Sequence, residues 1–215
     1  MSRVLALTSL NPPRESYLRF QRVEEFRMIE IRFHGMGGQG AVMGALILAE
    51  AAFSEGKYAQ KIPVYGGMRR GGDVTVFLRL DDKPIRRTCG IYEPDALVVL
   101  DPALASYPAV RKGLKKGGIA VLNGEERPEE VDLGVELSRV ATVDATGISM
   151  EILGPRVIPI TNTTILGAIA KATDWVELES LFEPITHAFP GRIGELNVEA
   201  CKRGYASVKV KGASG

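Results

Sequence analysis

The sequence predicts an α/β protein: a three-layer domain with a mostly parallel sheet, a β-hairpin and a glycine-rich strand-to-helix loop. Three observations carry this. From Ile29 onward, short apolar strands alternate with helical stretches. One strand runs through His34-Gly35-Met36-Gly37-Gly38-Gln39-Gly40 into a helix of small and apolar residues. Residues 96–100 form a short continuous apolar run, as a strand covered on both faces should.

The elements follow in order. Ile29-Glu30-Ile31-Arg32-Phe33 alternates as a strand, residues 41–55 read as a helix, and Gly56 is a stop signal. Residues 58–62 are a second strand, and residues 63–72 a loop rich in glycine and arginine. Val74, Val76, Leu78 and Leu80 share one face of the next strand, with Thr75, Phe77 and Arg79 on the other. Asp81-Asp82-Lys83-Pro84 reads as a turn, with the chain returning from Ile85 as the second arm of a hairpin. Residues 103–116 are predicted helical and 118–122 and 140–143 as strands. Residues 163–173, 176–188 and 195–208 are predicted as three further helices.

Composition narrows the function classes. With 215 residues, 45% hydrophobic and 25% charged, the chain can bury one substantial core, assigned to residues 28–210. A flexible tail is expected at 211–215. Residues 1–27, with Pro12-Pro13 and a mixed-charge stretch before Met28, stand apart as an N-terminal extension. Two readings stand for it: a start-site artefact, or a segment that is disordered or docks on a partner. The net charge of +1 gives no footprint for nucleic acid or an anionic membrane. No apolar run approaches the ~20 residues of a membrane span, and no signal peptide is read, so a cytoplasmic protein is expected. Cys89 and Cys201, far apart and without a pattern, read as reduced, buried thiols. Two thiols cannot supply the four of an iron–sulfur cluster, and with only His34 and His187 to help, no metal site is predicted.

The glycine loop fits G-x-G-x-x-G at Gly35, Gly37 and Gly40. Glycine permits a tight turn and close backbone approach to a ligand, and the positive end of the following helix favours an anion. A dinucleotide-binding oxidoreductase of Rossmann type would need an acidic residue at the end of the second strand. That strand ends Gln60-Lys61-Ile62-Pro63, so the signature is incomplete, and Lys61 could meet a phosphate instead. The alternative for the glycines is tight helix–strand packing alone. In the second unusual segment, Pro63-Val64-Tyr65-Gly66-Gly67-Met68-Arg69-Arg70-Gly71-Gly72, paired glycines flank paired arginines whose forks suit phosphate or carboxylate. A subunit contact or a solvated loop are its other readings.

Other polar positions read as structural. Asp101 and Asp144 follow apolar strands and suit helix caps; Thr161-Asn162-Thr163-Thr164 is a capping cluster before a helix. His34 suits a packed position and His187 a helix end. No serine–histidine–acid set and no paired carboxylates stand out, so no catalytic residue is assigned.

Five motifs, in order over residues 29–208, resemble the gamma subunit of pyruvate and related 2-oxoacid:ferredoxin oxidoreductases. Gly35-Met36-Gly37-Gly38-Gln39-Gly40 is similar to the family's G-R-G-G-Q-G, and the arginine loop resembles its P-E-Y-G-P-E-R-R-G-G. Pro94-Asp95-Ala96-Leu97-Val98-Val99-Leu100-Asp101 resembles its strand ending in leucine and aspartate. Asn162-Thr163-Thr164-Ile165-Leu166-Gly167-Ala168 is similar to its N-T-x-x-L-G-A, and Asn197 to Tyr205 to its N-x-x-A-x-x-x-G-Y. The chain departs from the family at Met36, Val64 and Met68, where arginine and two glutamates are usual.

The resemblance implies a division of labour. The family converts a 2-oxoacid and coenzyme A to an acyl-CoA and carbon dioxide, reversibly, passing electrons to ferredoxin. Thiamine diphosphate and 4Fe–4S clusters are expected in partner subunits, alpha, beta and delta, and no cofactor bound tightly by this chain alone. The gamma part is implicated in holding coenzyme A and in assembly, with Gly35, Gly37, Gly38, Gln39, Gly40, Arg69 and Arg70 as the binding positions. A purely structural subunit of the same complex is the competing expectation. Which 2-oxoacid is used does not follow.

Overall fold

The alternating pattern becomes seven strands in a computed structural model, which describes residues 27–65 and 72–212. The strands are β1 (Ile29–Met36), β2 (Tyr58–Tyr65), β3 (Asp73–Asp81), β4 (Ala96–Val99), β5 (Ile119–Asn123), β6 (Arg139–Val143) and β7 (Lys209–Lys211). They lie in one sheet in the order β2-β3-β1-β4-β5-β6-β7. β1, β4, β5 and β6 run parallel, β3 is antiparallel to both β1 and β2, and β7 is antiparallel to β6.

One face of the sheet carries the long helices. α1 (Ala41–Ser54) lies over β1, β2 and β3, and α5 (Asn162–Ala172) over β5 and β6. α4 (Ala145–Leu153), α6 (Phe182–Ala188) and α7 (Arg192–Ser207) pack around them. Ile31, Phe33, Val76, Leu78, Leu80, Ala96 and Val98 point into this core. On the opposite face Leu97, Val99, Ala120 and Leu122 form a smaller core with Leu104, Val110, Leu114 and Leu133. Its cover is thin: two single-turn helices, α2 (Pro102–Ala105) and α3 (Pro108–Arg111), and extended chain.

Four expectations are corrected here. The hairpin exists, but β2 and β3 form it; residues 84–90 do not return as a strand. β3 already has β2 on one edge and β1 on the other, so no edge is left for a third partner. The segment instead supplies the carbonyl of Cys89 to the Arg79 guanidinium (2.9 Å) and leaves Cys89 exposed, not buried. The predicted helix 103–116 is broken into α2 and α3. Tyr107 precedes Pro108 and takes the extended conformation such residues prefer (φ −77°, ψ 124°), and Gly113 has φ +78°. β7 had no expectation behind it, and α4 only the cap read at Asp144. Lys211, placed in the tail by the sequence, pairs with Val140.

Arg79 lies on the thinly covered face and is 1% exposed. It sits between Glu30 on β1 and Gln60 on β2, in one cross-strand row. Its Nε donates to Glu30 Oε1 (2.8 Å) and one terminal nitrogen to Gln60 Oε1 (3.0 Å). Two residues along β1, Arg32 donates to the carbonyls of Val110 and Lys112 (2.7 and 2.8 Å). The two guanidiniums thus tie down the irregular segments that replace a helical layer.

Two late motifs have a packing role. A β-carbon at Gly167 would overlap the carbonyl oxygen of Cys201, and one at Gly204 that of Thr164. α5 and α7 therefore cross at backbone contact, with Cys201 fully buried beneath. Replacing Gly204 by Val should destabilise the fold by about 3 kcal/mol, the upper end for overpacking a close-packed core. Denaturant unfolding checks this, and a midpoint equal to that of the parent chain would contradict the backbone contact.

Candidate functional site

Four parallel strands end at one edge of the sheet. After β1 the chain passes through α1 to β2 and β3 on one side, and β4 lies on the other. The crevice between the ends of β1 and β4 is therefore a topological switch point, the position where open α/β sheets hold ligands. The glycine loop lies on one side of it and Leu100–Asp101 on the other.

The loop is a tight turn between β1 and α1. Gly38 and Gly40 have φ of +109° and +86°, a region glycine enters without strain. Gly40 is the N-cap of α1, and no side chain caps that helix. The Gly37 amide donates to the carbonyl of Gly72 (3.0 Å) and that of Gln39 to the carbonyl of Met36 (3.1 Å). Among the described residues the amides of Gly38 and Gly40 meet no acceptor. With the first turn of α1 they are the donors an anion could use.

Gln39 is turned inward and 4% exposed. Its Oε1 accepts from the Met36 amide (2.7 Å) and its Nε2 donates to Asp101 Oδ2 (2.6 Å). Gly35 is a packing glycine: a β-carbon there would crowd Leu100 (3.2 Å) and Gln39 Oε1 (3.3 Å). Arg69 and Arg70 lie outside the described residues. The Gly37–Gly72 hydrogen bond nevertheless joins the end of their loop to the glycine loop.

Three asparagines not singled out by the sequence as site positions complete the edge. Asn123, ending β5, donates to the Leu100 carbonyl (2.7 Å) and accepts from the amides of Ala145 and Thr146 at the start of α4. Asn162 donates to the Gly40 carbonyl (3.4 Å) and lies so close that a β-carbon on Gly40 would overlap it. Asn197 Oδ1 accepts from the Thr163 hydroxyl (3.0 Å). The expected cap is not made by the N-cap side chain: Thr161 makes no cap bond to α5 and instead reaches the Leu100 carbonyl (3.4 Å), and positions 161–164 are all buried. Ile158, 39% exposed, rests against Gly38. Motif spacing could flag Asn162 and Asn197; nothing local marks Asn123 or Ile158.

The remaining candidates divide plainly. Asp101 caps α2 through Ala103 N (3.0 Å), and Asp144 caps α4 through Gly147 N (2.7 Å). His34 is a packed residue. Its Nδ1 faces Thr75 Oγ1 at 3.3 Å, its Nε2 has no partner among the described residues, and burial with the nearby Arg32 charge pushes its pKa down to about 4. His187 is exposed in the last turn of α6, 3.8 Å from Glu183. Lys61 does not point to the glycine loop. It pairs with Leu78 along β2, on the α1 side, where burial lowers its pKa and the Glu50 charge opposes that shift. Burial pushes the Cys201 thiol up to about 12, so it stays protonated. Among the described residues no helix is long and apolar enough to cross a membrane.

Comparison with known proteins places this geometry. Residues 30–207 match the family model described as pyruvate ferredoxin/flavodoxin oxidoreductase. The chain is 56% identical over 180 residues to the pyruvate/ketoisovalerate oxidoreductases common subunit gamma of Thermococcus kodakarensis, covering 83% of this chain and 96% of that one. Its fold is similar to that of the pyruvate oxidoreductase subunit PORC of Thermotoga maritima, with a TM-score of 0.74 and 35% identity over 86% of this chain and 99% of that one. It also resembles part of a 2-oxoglutarate:ferredoxin oxidoreductase from Magnetococcus marinus, solved with 2-oxoglutarate, coenzyme A and succinyl-CoA. There the TM-score is 0.67 at 18% identity, over 85% of this chain and 31% of that one.

Two outcomes follow from the geometry. Gly40→Ala combines left-handed strain with the overlap on Asn162 and should cost about 2–3 kcal/mol of stability, read by thermal or denaturant unfolding. His34 gives a pH dependence. Its folded pKa lies below the unfolded value near 6.5, so its stabilising contribution is complete above that pH. It is lost as pH falls towards 4, because the unfolded chain takes up a proton the native state refuses. The loss should reach about 3 kcal/mol, and stability measured from pH 7 to pH 4 should fall less steeply in His34→Gln. Parallel curves for the two chains would contradict it.

Proposed function

This chain belongs to the pyruvate ferredoxin/flavodoxin oxidoreductase family, and from that premise we propose that it serves as the gamma subunit of a multi-subunit 2-oxoacid oxidoreductase and holds the phosphate end of coenzyme A on its glycine loop. One observation carries the reading. The Gly37–Gly72 hydrogen bond brings together the two loops that the sequence marks for anion binding, at the switch point of the sheet.

On this reading the amides of Gly38 and Gly40 and the first turn of α1 donate to phosphate oxygens. The helix end supplies partial positive charge worth roughly 0.3–1 kcal/mol when exposed and up to ~2 when partly buried. Arg69 and Arg70 add forked donors from the adjoining loop. The chain anchors the nucleotide end, while the thiol arm reaches a reaction centre on a partner subunit and accepts the acyl group there. The relative in Thermococcus kodakarensis is named for two oxidoreductases acting on different 2-oxoacids. A role shared by both enzymes is one that does not touch the oxoacid, and coenzyme A is such a shared reactant.

The chemistry itself belongs to the partners. The chain has two cysteines, and a 4Fe–4S cluster takes four thiolates; Cys201 is buried and protonated. Among the described residues no group of histidine, cysteine or carboxylate could hold a metal. The iron–sulfur clusters, the thiamine diphosphate and the docking of ferredoxin as acceptor are therefore assigned to the alpha, beta and delta subunits. A purely structural role draws on Gly35 and Gln39, whose side-chain space and hydrogen bonds are used inside the chain.

Titrating the assembled complex with coenzyme A separates the two. Gly38→Asp places a charged side chain at the open turn against Ile158 and should weaken coenzyme A at least tenfold. Arg70→Ala should weaken it severalfold with assembly intact. If both variants assemble and bind coenzyme A like the parent, the loop does not hold the coenzyme. If both fail to assemble, the structural role prevails.

A further inference from the structure

We propose that Gln39 is the positioning residue of the glycine loop: it latches the loop to Asp101 across the β1–β4 crevice, and this latch sets the affinity for the anion. The proposal rests on the coenzyme A reading above and adds what holds the site in its binding shape.

The side chain has a division of labour of its own. Its Oε1 accepts from the Met36 amide within the loop (2.7 Å), and its Nε2 reaches a different strand end at Asp101 Oδ2 (2.6 Å). The other carboxylate oxygen of Asp101 accepts from Ala103 N at the start of α2 (3.0 Å). One chain of hydrogen bonds thus runs from the end of β1, through two side chains, to the helix after β4. Nearly complete burial of Gln39 (4% exposed) makes the polar pairings costly to leave unmade.

The latch decides which loop amides remain free. Met36 N is occupied by Gln39 Oε1, Gly37 N by Gly72 and Gln39 N by Met36. Among the described residues only Gly38 and Gly40 are left open in the turn, and both have positive φ. Without Gln39 the Met36 amide loses its acceptor and a glycine-rich turn loses its side-chain tether to Asp101, just past β4. Such a turn has many accessible conformations, and ordering it would then fall to the ligand. The side chain touches no ligand in this account; it acts through the backbone that does.

Hydrogen-bond polarity supplies a specific test. Gln39→Met keeps the length of the side chain but removes both pairings. Gln39→Glu sets a second carboxylate against Asp101. The combination of Gln39→Glu with Asp101→Asn restores every pairing with only the 39–101 bond reversed: the carboxylate at position 39 accepts from Met36 N and from the new amide, whose oxygen accepts from Ala103 N. In the assembled complex, each Gln39 single variant should weaken coenzyme A about tenfold, with the complex still formed but its thermal midpoint lowered by the unmade pairings. The combined variant should recover most of the affinity. Parent-like affinity in Gln39→Met would overturn the latch while leaving the site intact, provided Gly38→Asp still weakens binding. If Gly38→Asp also binds like the parent, the site reading itself fails. Weakened binding that the reversed pair does not recover would likewise overturn the latch.

Discussion

The turn at Leu100–Asp101 holds the functional edge of the molecule together. The Leu100 carbonyl, just past the end of β4, accepts from Asn123 at the end of β5 and from Thr161 before α5. One residue later Asp101 accepts from Gln39 in the glycine loop and from the start of α2. Strand ends leave backbone groups unpaired, and buried unpaired groups cost of order 1–3 kcal/mol each. This chain satisfies them with side-chain amides and a hydroxyl drawn from three different segments. The edge is consequently a cross-linked surface on which a glycine-rich turn can keep one shape.

The same economy shapes the opposite face. Where a conventional three-layer protein would lay a second set of long helices, this one has two single turns and extended chain. Apolar packing there is limited to a small cluster over β4 and β5. Arg32 and Arg79 make up the difference over β1 and β3, binding carbonyls of the covering segments with buried guanidiniums. Burying such a charge is costly unless every donor finds a partner, and Glu30 and Gln60 flank Arg79 in register for that reason. The arrangement sets the strand that feeds the glycine loop, β1, between a helix core on one side and a hydrogen-bonded clamp on the other.

How much of this was legible in the sequence depends on the range of the interaction. The parallel strands β4, β5 and β6, helix α1 and the glycine turn follow from local pattern, and their bounds agree within a few residues. The hairpin partner of β3 did not, because alternation names a strand but not its neighbours, and β1 had taken the edge assigned to the return. The break at Tyr107–Pro108 was written in the sequence, yet helical spacing of the surrounding apolar residues outweighed it. Within the site, glycines at fixed offsets announced the loop. Asn123 and Ile158 carry no such mark, since their value lies in what the fold brings beside them. Gln39 shows the reverse: it was visible as part of a motif, but its inward bond to Asp101, 62 residues away, was not.

The charges around the glycine loop give the arginine segment its importance. Lys61 is on β2 but on the α1 side, where it faces Glu50. Arg32 is on β1 but is turned to the carbonyls of Val110 and Lys112. Among the described residues the Asp101 carboxylate does border the loop, and it is committed to Gln39 and α2. On the proposed reading, therefore, neither of these cations neutralises a bound phosphate, and the amides of Gly38 and Gly40 with the end of α1 supply partial charges only. The full positive charge falls to Arg69 and Arg70, whose loop the Gly72 carbonyl fastens to Gly37. The backbone bond from Gly37 to Gly72 joins the glycine turn to the end of the arginine segment, so on the proposed reading a chain of near-neutral net charge could meet a phosphate without a broad basic surface.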